Sequence, residues 1–351
     1  LSRQKTIQAI GRELLLQKDY LGGEKIQTIY FGGGTPSILS EKELDSLLEV
    51  IHSNFPISPD SEFTLEANPD DLTVEKLRQL RRAGINRLSI GIQSFDDEVL
   101  RYLNRAHDSV MASRCVHSAH EAGFDNISVD LIYAIPKLDN ARWKEAIDEA
   151  LQLDPQHISS YALTIEEKTV YGKWAARGKI KAVDDDAAAY QLQILVDILE
   201  THAYEQYEVS NFSKPGFQSQ HNSNYWKNKN YLGVGPSAHS YNGLSRQYNI
   251  SNNHLYVDSI QSMKIPSSVE ILTREDKINE YLLTSLRTAW GVNLAVLRQD
   301  YGFDPLNTHQ QYVRILVDRQ LATIKNDTLI LSKSGLLLAD KIASDLFVIA
   351  P

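Results

Sequence analysis

Three stretches of this chain carry side chains able to do chemistry. The first is Gly32-Gly33-Gly34-Thr35-Pro36-Ser37. Three glycines after a strand bring backbone close to a ligand with no Cβ in the way, and leave N–H and C=O groups to bind it. No Gly-Lys-Ser/Thr follows, so this is not a P-loop, and the register departs from Gly-x-Gly-x-x-Gly after Gly34. An ordinary strand-to-helix turn remains the alternative. The second is the set Glu66, Gln93, Arg105 and Asp130, on successive strand–helix units. A carboxylate at a strand end accepts hydrogen bonds from an amine or a ribose diol, and an arginine holds a carboxylate in a bidentate pair. Each acid alone reads as a cap on the next helix; four such residues on one rim suit a zwitterionic, ribose-bearing ligand. The third is His221-Asn222-Ser223-Asn224-Tyr225-Trp226. A neutral imidazole can ligate iron, and neighbouring aromatics can cover a flat macrocycle. The competing assignment is a solvated histidine on a surface loop. His239 is a further histidine that could pair with His221. His117 and His120, beside Cys115 and Glu121, form a formal metal face but read as partly exposed helix positions. Asp184-Asp185-Asp186 reads as a solvated helix N-terminus.

The elements that must position these residues alternate between two periodicities. β-type runs occupy 28–31, 62–66, 87–91, 127–132 and 157–161. Between them lie apolar faces at helical spacing: Leu44, Leu47, Leu48 and Ile51; Val74, Leu77 and Leu80; Ala146, Ala150 and Leu151. Ser40, Thr73 and Asp139 or Asn140 mark helix starts, and Gly84 and Gly123 mark ends. Units of roughly 30 residues imply right-handed βαβ crossovers and a parallel sheet. An open doubly wound sheet and a full or partial (β/α) barrel both fit, and both put ligand residues at the C-terminal strand ends. A further helix is expected over 184–199, with Leu192, Leu195, Val196 and Leu199 on one face. The Tyr-, Asn-, Ser- and Gly-rich stretch 204–255 is expected as loop and short strand. Beyond it come helices, a hairpin (321–324 and 329–331 around Asn326-Asp327) and a last helix over 335–346, a winged-helix-like arrangement. The expected domains are 1–203, 204–268 and 269–351.

Composition narrows the function. Of 351 residues, 42 % are hydrophobic and 23 % charged, which excludes disorder and collagen-like structure. A net charge of −9 disfavours general nucleic-acid binding. The stretch 271–351 carries nine basic and nine acidic residues, so a winged-helix DNA module lacks its basic face. The single cysteine, Cys115, excludes an internal disulfide and any Cys-built metal or cluster site in this chain. No apolar run reaches the ~20 residues of a membrane span, and no signal-peptide pattern is present, so a cytoplasmic protein is expected.

Five stretches occur in order: Tyr30-Phe31-Gly32-Gly33-Gly34-Thr35-Pro36-Ser37, Glu66-Ala67-Asn68-Pro69, Leu88-Ser89-Ile90-Gly91-Ile92-Gln93-Ser94, Leu103-Asn104-Arg105-Ala106-His107 and Asp130-Leu131-Ile132-Tyr133. The series resembles the radical S-adenosylmethionine family of oxygen-independent coproporphyrinogen III oxidases. Within that family, His221 to Trp226 resembles the HNxxYW signature of HemW-type haem chaperones. The stretches 280–287 and 331–340 resemble the same branch. The resemblance implies a partial (β/α)6 TIM-like barrel with a small C-terminal helical, winged-helix-like domain. It implies S-adenosylmethionine held by Gly33, Gly34, Thr35, Glu66, Gln93, Arg105, Asp130 and Ala162, the last at the end of the sixth strand, and haem held by His221, Tyr225 and Trp226. It implies transfer of haem to an apo-haemoprotein, soluble or membrane-bound; the alternative is oxidative decarboxylation of coproporphyrinogen III. It also implies a four-iron, four-sulfur cluster on a CxxxCxxC segment that this sequence lacks. The expectation is that this segment and the first strand lie upstream of Leu1.

Overall fold

The computed structural model describes residues 3–164 and 183–349. Strands and α-helices run α1 (Arg3–Leu16), β1 (Ile26–Phe31), α2 (Glu41–Asn54), β2 (Ile57–Ala67), α3 (Val74–Arg82), β3 (Arg87–Gln93), α4 (Asp97–Tyr102), α5 (Ser109–Glu121), β4 (Ile127–Tyr133), α6 (Asn140–Gln152) and β5 (His157–Ala162). The caps fall where local chemistry puts them. Ser40 and Glu43 close a reciprocal capping box on α2, Thr73 caps α3 and Asp139 caps α6. Gly84 and Gly123 follow α3 and α5 with φ of 94° and 86°. Leu44, Leu47, Leu48 and Ile51 are all buried, as are Leu77 and Leu80. Val74 is 45 % exposed: it opens the first turn of α3, where the apolar stripe has not yet reached the core. The helix Asp185–Thr201 buries Leu192, Leu195, Val196 and Leu199 behind Asp184 at its N-cap.

Two compact units divide the chain. One comprises Tyr30–Ile38 and Glu62–Ser219; the other comprises Leu1–Ile29, Leu39–Ser61 and Gln220–Pro351. A seven-stranded sheet runs in the order β1-β2-β3-β4-β5-β7-β6, with β6 at Glu205–Glu208 and β7 at Asn211–Ser213. β2 to β5 pair in parallel, and β7 is antiparallel to both β5 and β6. The parallel run ends at β5 because its neighbour β7 runs antiparallel to it, and the two residues between β6 and β7 make the reversal that pairs those two strands. Ala162 therefore closes the fifth described strand; no sixth parallel strand carries it among the described residues. Leu65, Leu88, Ile90, Val129, Leu131 and Ile158 are fully buried on one face of this sheet. Residues of opposite parity, Glu66, Ser89, Ser128, Asp130, His157 and Ser159, share the other. That second face is polar, and it is where a ligand site can be built.

In the other unit, α1 packs on α2 and on the helix Asn253–Gln261. Its buried carboxylate, Glu13, accepts from Gln17 Nε2 (2.8 Å), Asn249 Nδ2 (2.6 Å), Gly235 N (2.8 Å) and Tyr256 Oη (2.5 Å). Asn249 belongs to a three-stranded antiparallel sheet, ordered β10-β9-β8, of His239–Tyr241 (β8), Ser245–Asn249 (β9) and Ser267–Ile271 (β10). Further on come the helices Arg274–Leu286, Leu294–Tyr301 and Gln310–Asp318, and the sheet β11-β13-β12. Here β11 is Val292–Asn293, β12 Ala322–Lys325 and β13 Thr328–Leu331. The β12–β13 turn is Asn326-Asp327, both with positive φ, the two-residue hairpin turn whose twist matches its strands. The last helix is two pieces, Lys333–Leu336 and Ala339–Asp345, because Ser332 caps Gly335 and starts a short turn early. The stretch 220–226, expected as loop, is a helix (Gln220–Trp226). Its weak helix formers are overridden by packing: Tyr225 lies edge-on to Tyr231 and Trp226 beneath the Arg287 guanidinium.

Candidate functional site

The glycine run ends β1 with backbone no side-chain-bearing residue adopts easily: Gly33 has φ 72° and Gly34 φ 145°. At Gly32 a Cβ would meet the Tyr30 ring at 2.5 Å and Glu66 Oε1 at 2.9 Å. Glu66, at the end of β2, accepts from Tyr30 Oη (2.8 Å) and from Gly33 N (3.1 Å). Burial, and then Glu66 itself, push the Tyr30 phenol above its ordinary pKa, so it stays protonated and donates. Thr35 contributes its carbonyl to Ile38 N, opening the turn that follows.

Arg105 closes the neighbouring part of the rim. Its Nη2 donates to Asn68 Oδ1 (2.7 Å) and to the Gly91 carbonyl (2.9 Å), and its Nε is buried with no hydrogen-bond partner. Burial lowers its pKa, against the pull of Asp70. A Cβ at Gly91 would stand 2.8 Å from Gln93 Nε2 and 3.5 Å from Arg105 Nη2, so both side chains converge over that glycine. Gln93 holds φ 70° where the β3–β4 register shifts, a strained position that turns it out of the strand. Asp130 lies on β4 with Ser89 Oγ 3.2 Å from both carboxylate oxygens. Burial pushes its pKa up to about 6; Ser159, Arg87 and Ser89 oppose this, and Glu66 adds to it. Ala162 is exposed and pairs with Tyr133. The structure thus joins Gly33 with Glu66, and Gln93 with Arg105. Deeper on the same polar face, His157 stays neutral between Ser128 Oγ (2.8 Å) and Tyr207 Oη (2.7 Å), with its pKa lowered by burial.

Ser89, Ser128 and Ser159 were not legible as site residues from single motifs. The signal was their alternation with apolar residues, which strands apolar on both faces would lack.

The other unit holds the histidine motif. His221 Nδ1 is 2.9 Å from Thr28 Oγ1, and its Nε2 is 3.1 Å from Tyr225 Oη. The i, i+4 spacing on one helical turn sets the His221 and Tyr225 rings edge-to-face, centroids 4.8 Å apart. Rings continue from Tyr225 to Tyr231 (4.7 Å) and to Tyr241 (6.2 Å), where Arg246 stands over the last ring at 5.2 Å. Arg246 is tied to Glu280 at 2.6 Å. Burial, followed by Tyr231, pushes the Tyr225 phenol up to about 12, although 40 % of the residue's surface is exposed. His239 has a different partner, the Tyr248 ring at 5.9 Å. The face carrying Cys115, His117, His120 and Glu121 forms no metal site: no group of three His, Cys, Asp or Glu residues among the described residues could hold an ion. Burial pushes the Cys115 thiol up to about 12.

The model of the Radical SAM superfamily matches residues 3–150. Heme chaperone HemW of Bacillus subtilis (strain 168) is 34 % identical over 338 residues, covering 96 % of this chain and 89 % of that protein. The chain belongs to the HemW family of radical SAM proteins. Heme chaperone HemW of Lactococcus lactis is 37 % identical over 269 residues, covering 77 % of this chain and 71 % of that one. Among solved structures, coproporphyrinogen III oxidase (HemN) from Escherichia coli superposes with a TM-score of 0.83 at 22 % identity, covering 99 % of this chain and 85 % of that one. This likeness establishes a HemN-like radical SAM fold and nothing about activity. No helix among the described residues is long and apolar enough to cross a membrane.

Membership implies S-adenosylmethionine and a four-iron, four-sulfur cluster. The polar rim fits the first: a side-chain-free cradle at Gly32–Gly34, a carboxylate at Glu66, and a buried Arg105 Nε without a partner. The residues present do not fit the second, since the one cysteine is buried on α5.

Proposed function

We propose that this protein is a haem chaperone, binding haem around His221, Tyr225 and Trp226 and passing it to an apo-haemoprotein in the cytoplasm. The observation that carries the reading is the run of rings from His221 through Tyr225 and Tyr231 to Tyr241, ending at a cation. Flat apolar faces suit a macrocycle. Coproporphyrinogen oxidation, by contrast, is supported by likeness of fold alone.

Within the same proposal, Gly33, Gly34 and Thr35 present backbone to S-adenosylmethionine and Glu66 takes its amino group or a ribose hydroxyl. Gln93, Arg105, Asp130 and Ala162 complete the nucleotide wall. S-adenosylmethionine held there would supply radical chemistry. The chain's own residues orient it: Tyr30 and Gly33 fix the Glu66 carboxylate, and Asn68 and the Gly91 carbonyl fix Arg105. The domain division at 203 and 268 is part of the same proposal.

Haem transfer tests the reading. Protein loaded with one haem is mixed with an apo-haemoprotein, and the acceptor's Soret band is followed. The proposal expects transfer faster than from an equal concentration of albumin-bound haem. Transfer no faster than from albumin overturns it.

A further inference from the structure

The ladder between β3 and β4 passes from Ile90 opposite Val129 to Gln93 opposite Leu131, three steps on one strand against two on the other. The extra residue makes a bulge at Gly91 and Ile92. Gln93 leaves it with φ 70°, a left-handed turn that costs a side-chain-bearing residue energy. Both bulge carbonyls are taken by one segment beyond α4. Arg105 Nη2 donates to the Gly91 carbonyl at 2.9 Å, and the buried His107 ring reaches the Ile92 carbonyl through Nε2, also at 2.9 Å.

A carbonyl only accepts, so Nε2 carries the proton, and Nδ1 carries none while the ring is neutral. Burial, the largest influence on this ring, lowers its pKa and keeps it neutral. Nδ1 is buried with no hydrogen-bond partner, 3.9 Å from Asp70 Oδ1. An empty buried acceptor is a cost, and a side chain kept here for packing alone would carry no such atom. What the imidazole gains is its one bond to Ile92. The Ile92 carbonyl and the Gln93 nitrogen share a rigid peptide plane, so pinning the oxygen fixes the direction in which Gln93 leaves the strand.

We propose that His107 is a positioning residue of the S-adenosylmethionine site, acting through the Ile92 carbonyl to hold Gln93 in its left-handed turn and so aim the Gln93 amide. The proposal rests on the reading that places Gln93 in the nucleotide wall, and adds to it a residue that itself touches no ligand.

Two measurements on the full chain test this. In nitrogen NMR of the histidine rings at neutral pH, assigned by comparison with a variant lacking the ring, His107 should carry its proton on Nε2 and none on Nδ1. A proton on Nδ1 overturns the assignment whatever the protein binds. S-adenosylmethionine binding is then followed by calorimetry. His107→Phe keeps a buried ring but cannot donate, and should lower affinity about 10-fold or more. His107→Gln, whose amide nitrogen reaches as far as Nε2, should restore affinity to within about 3-fold. In a Gln93→Gly background, which removes both the amide and the strain, His107→Phe should cost less than about 2-fold more. Circular dichroism checks folding; His107→Asn, whose amide stops short of the Ile92 carbonyl, replaces His107→Phe if that variant does not fold. Wild-type affinity in His107→Phe, no rescue in His107→Gln, or an equal loss in the Gln93→Gly background overturns the positioning role while leaving the cofactor reading standing. A wild type that binds no S-adenosylmethionine overturns that reading, and the proposal with it.

Discussion

Glu66 is held by two donors of different kinds, a phenol at 2.8 Å and a backbone amide at 3.1 Å. Such bonds to a charged acceptor contribute about 1.5–3 kcal/mol each, and they aim the remaining lone pairs. Glu66→Gln keeps the size but removes the charge. It is expected to weaken S-adenosylmethionine binding about 10-fold or more by calorimetry; unchanged affinity would remove Glu66 from the site. Asp130 gives a pH prediction. Its folded pKa, about 6, lies above the ordinary carboxylate value of 3.8, so the folded state holds its proton more tightly than the unfolded chain. The stability this lends is complete below the unfolded value and is lost as pH rises through about 6. Asp130→Asn should therefore raise Tm at pH 8 by roughly 3 °C or more and change it little at pH 4. An equal shift at both values would contradict the burial account. Glu66 and Asp130 were readable as strand-end acids in the sequence. The contact between Thr28 and His221 was not, because the two residues lie 193 positions apart.

At the scale of elements, the capped helices and the Asn326-Asp327 hairpin were legible because their causes are local: a side chain reaching a nearby amide, or two residues at positive φ. Two elements escaped for the opposite reason. The helix Gln220–Trp226 is composed of weak helix formers and is held by tertiary packing. α1 did not join the strand–helix pattern because a carboxylate, Glu13, sits in its buried face beside Ala9 and Leu14. That carboxylate accepts four hydrogen bonds, from Gln17 just past α1, the Gly235 loop, β9 and the helix Asn253–Gln261. Glu13→Ala strands those donors in a dry site, at about 3–5 kcal/mol. At ~2–4 °C per kcal/mol, Tm should fall by about 6–20 °C in a thermal melt. A fall under ~2 °C would show the hub to be solvated.

For the whole molecule, the fold class followed from strand–helix alternation, but where the parallel run stops did not: the antiparallel strands β7 and β6 lie in a stretch with no clear period. Charge does not favour the ligand either. A chain of net −9 repels an anionic porphyrin at long range, so haem affinity must come from local contacts around the aromatic run. Haem titration of the intact chain, followed at the Soret band for the wild type and for His221→Ala, tests this most directly. The account predicts one haem per chain for the wild type, and for the variant an affinity at least about 10-fold lower with a displaced band. Equal affinity and an unchanged spectrum would contradict it.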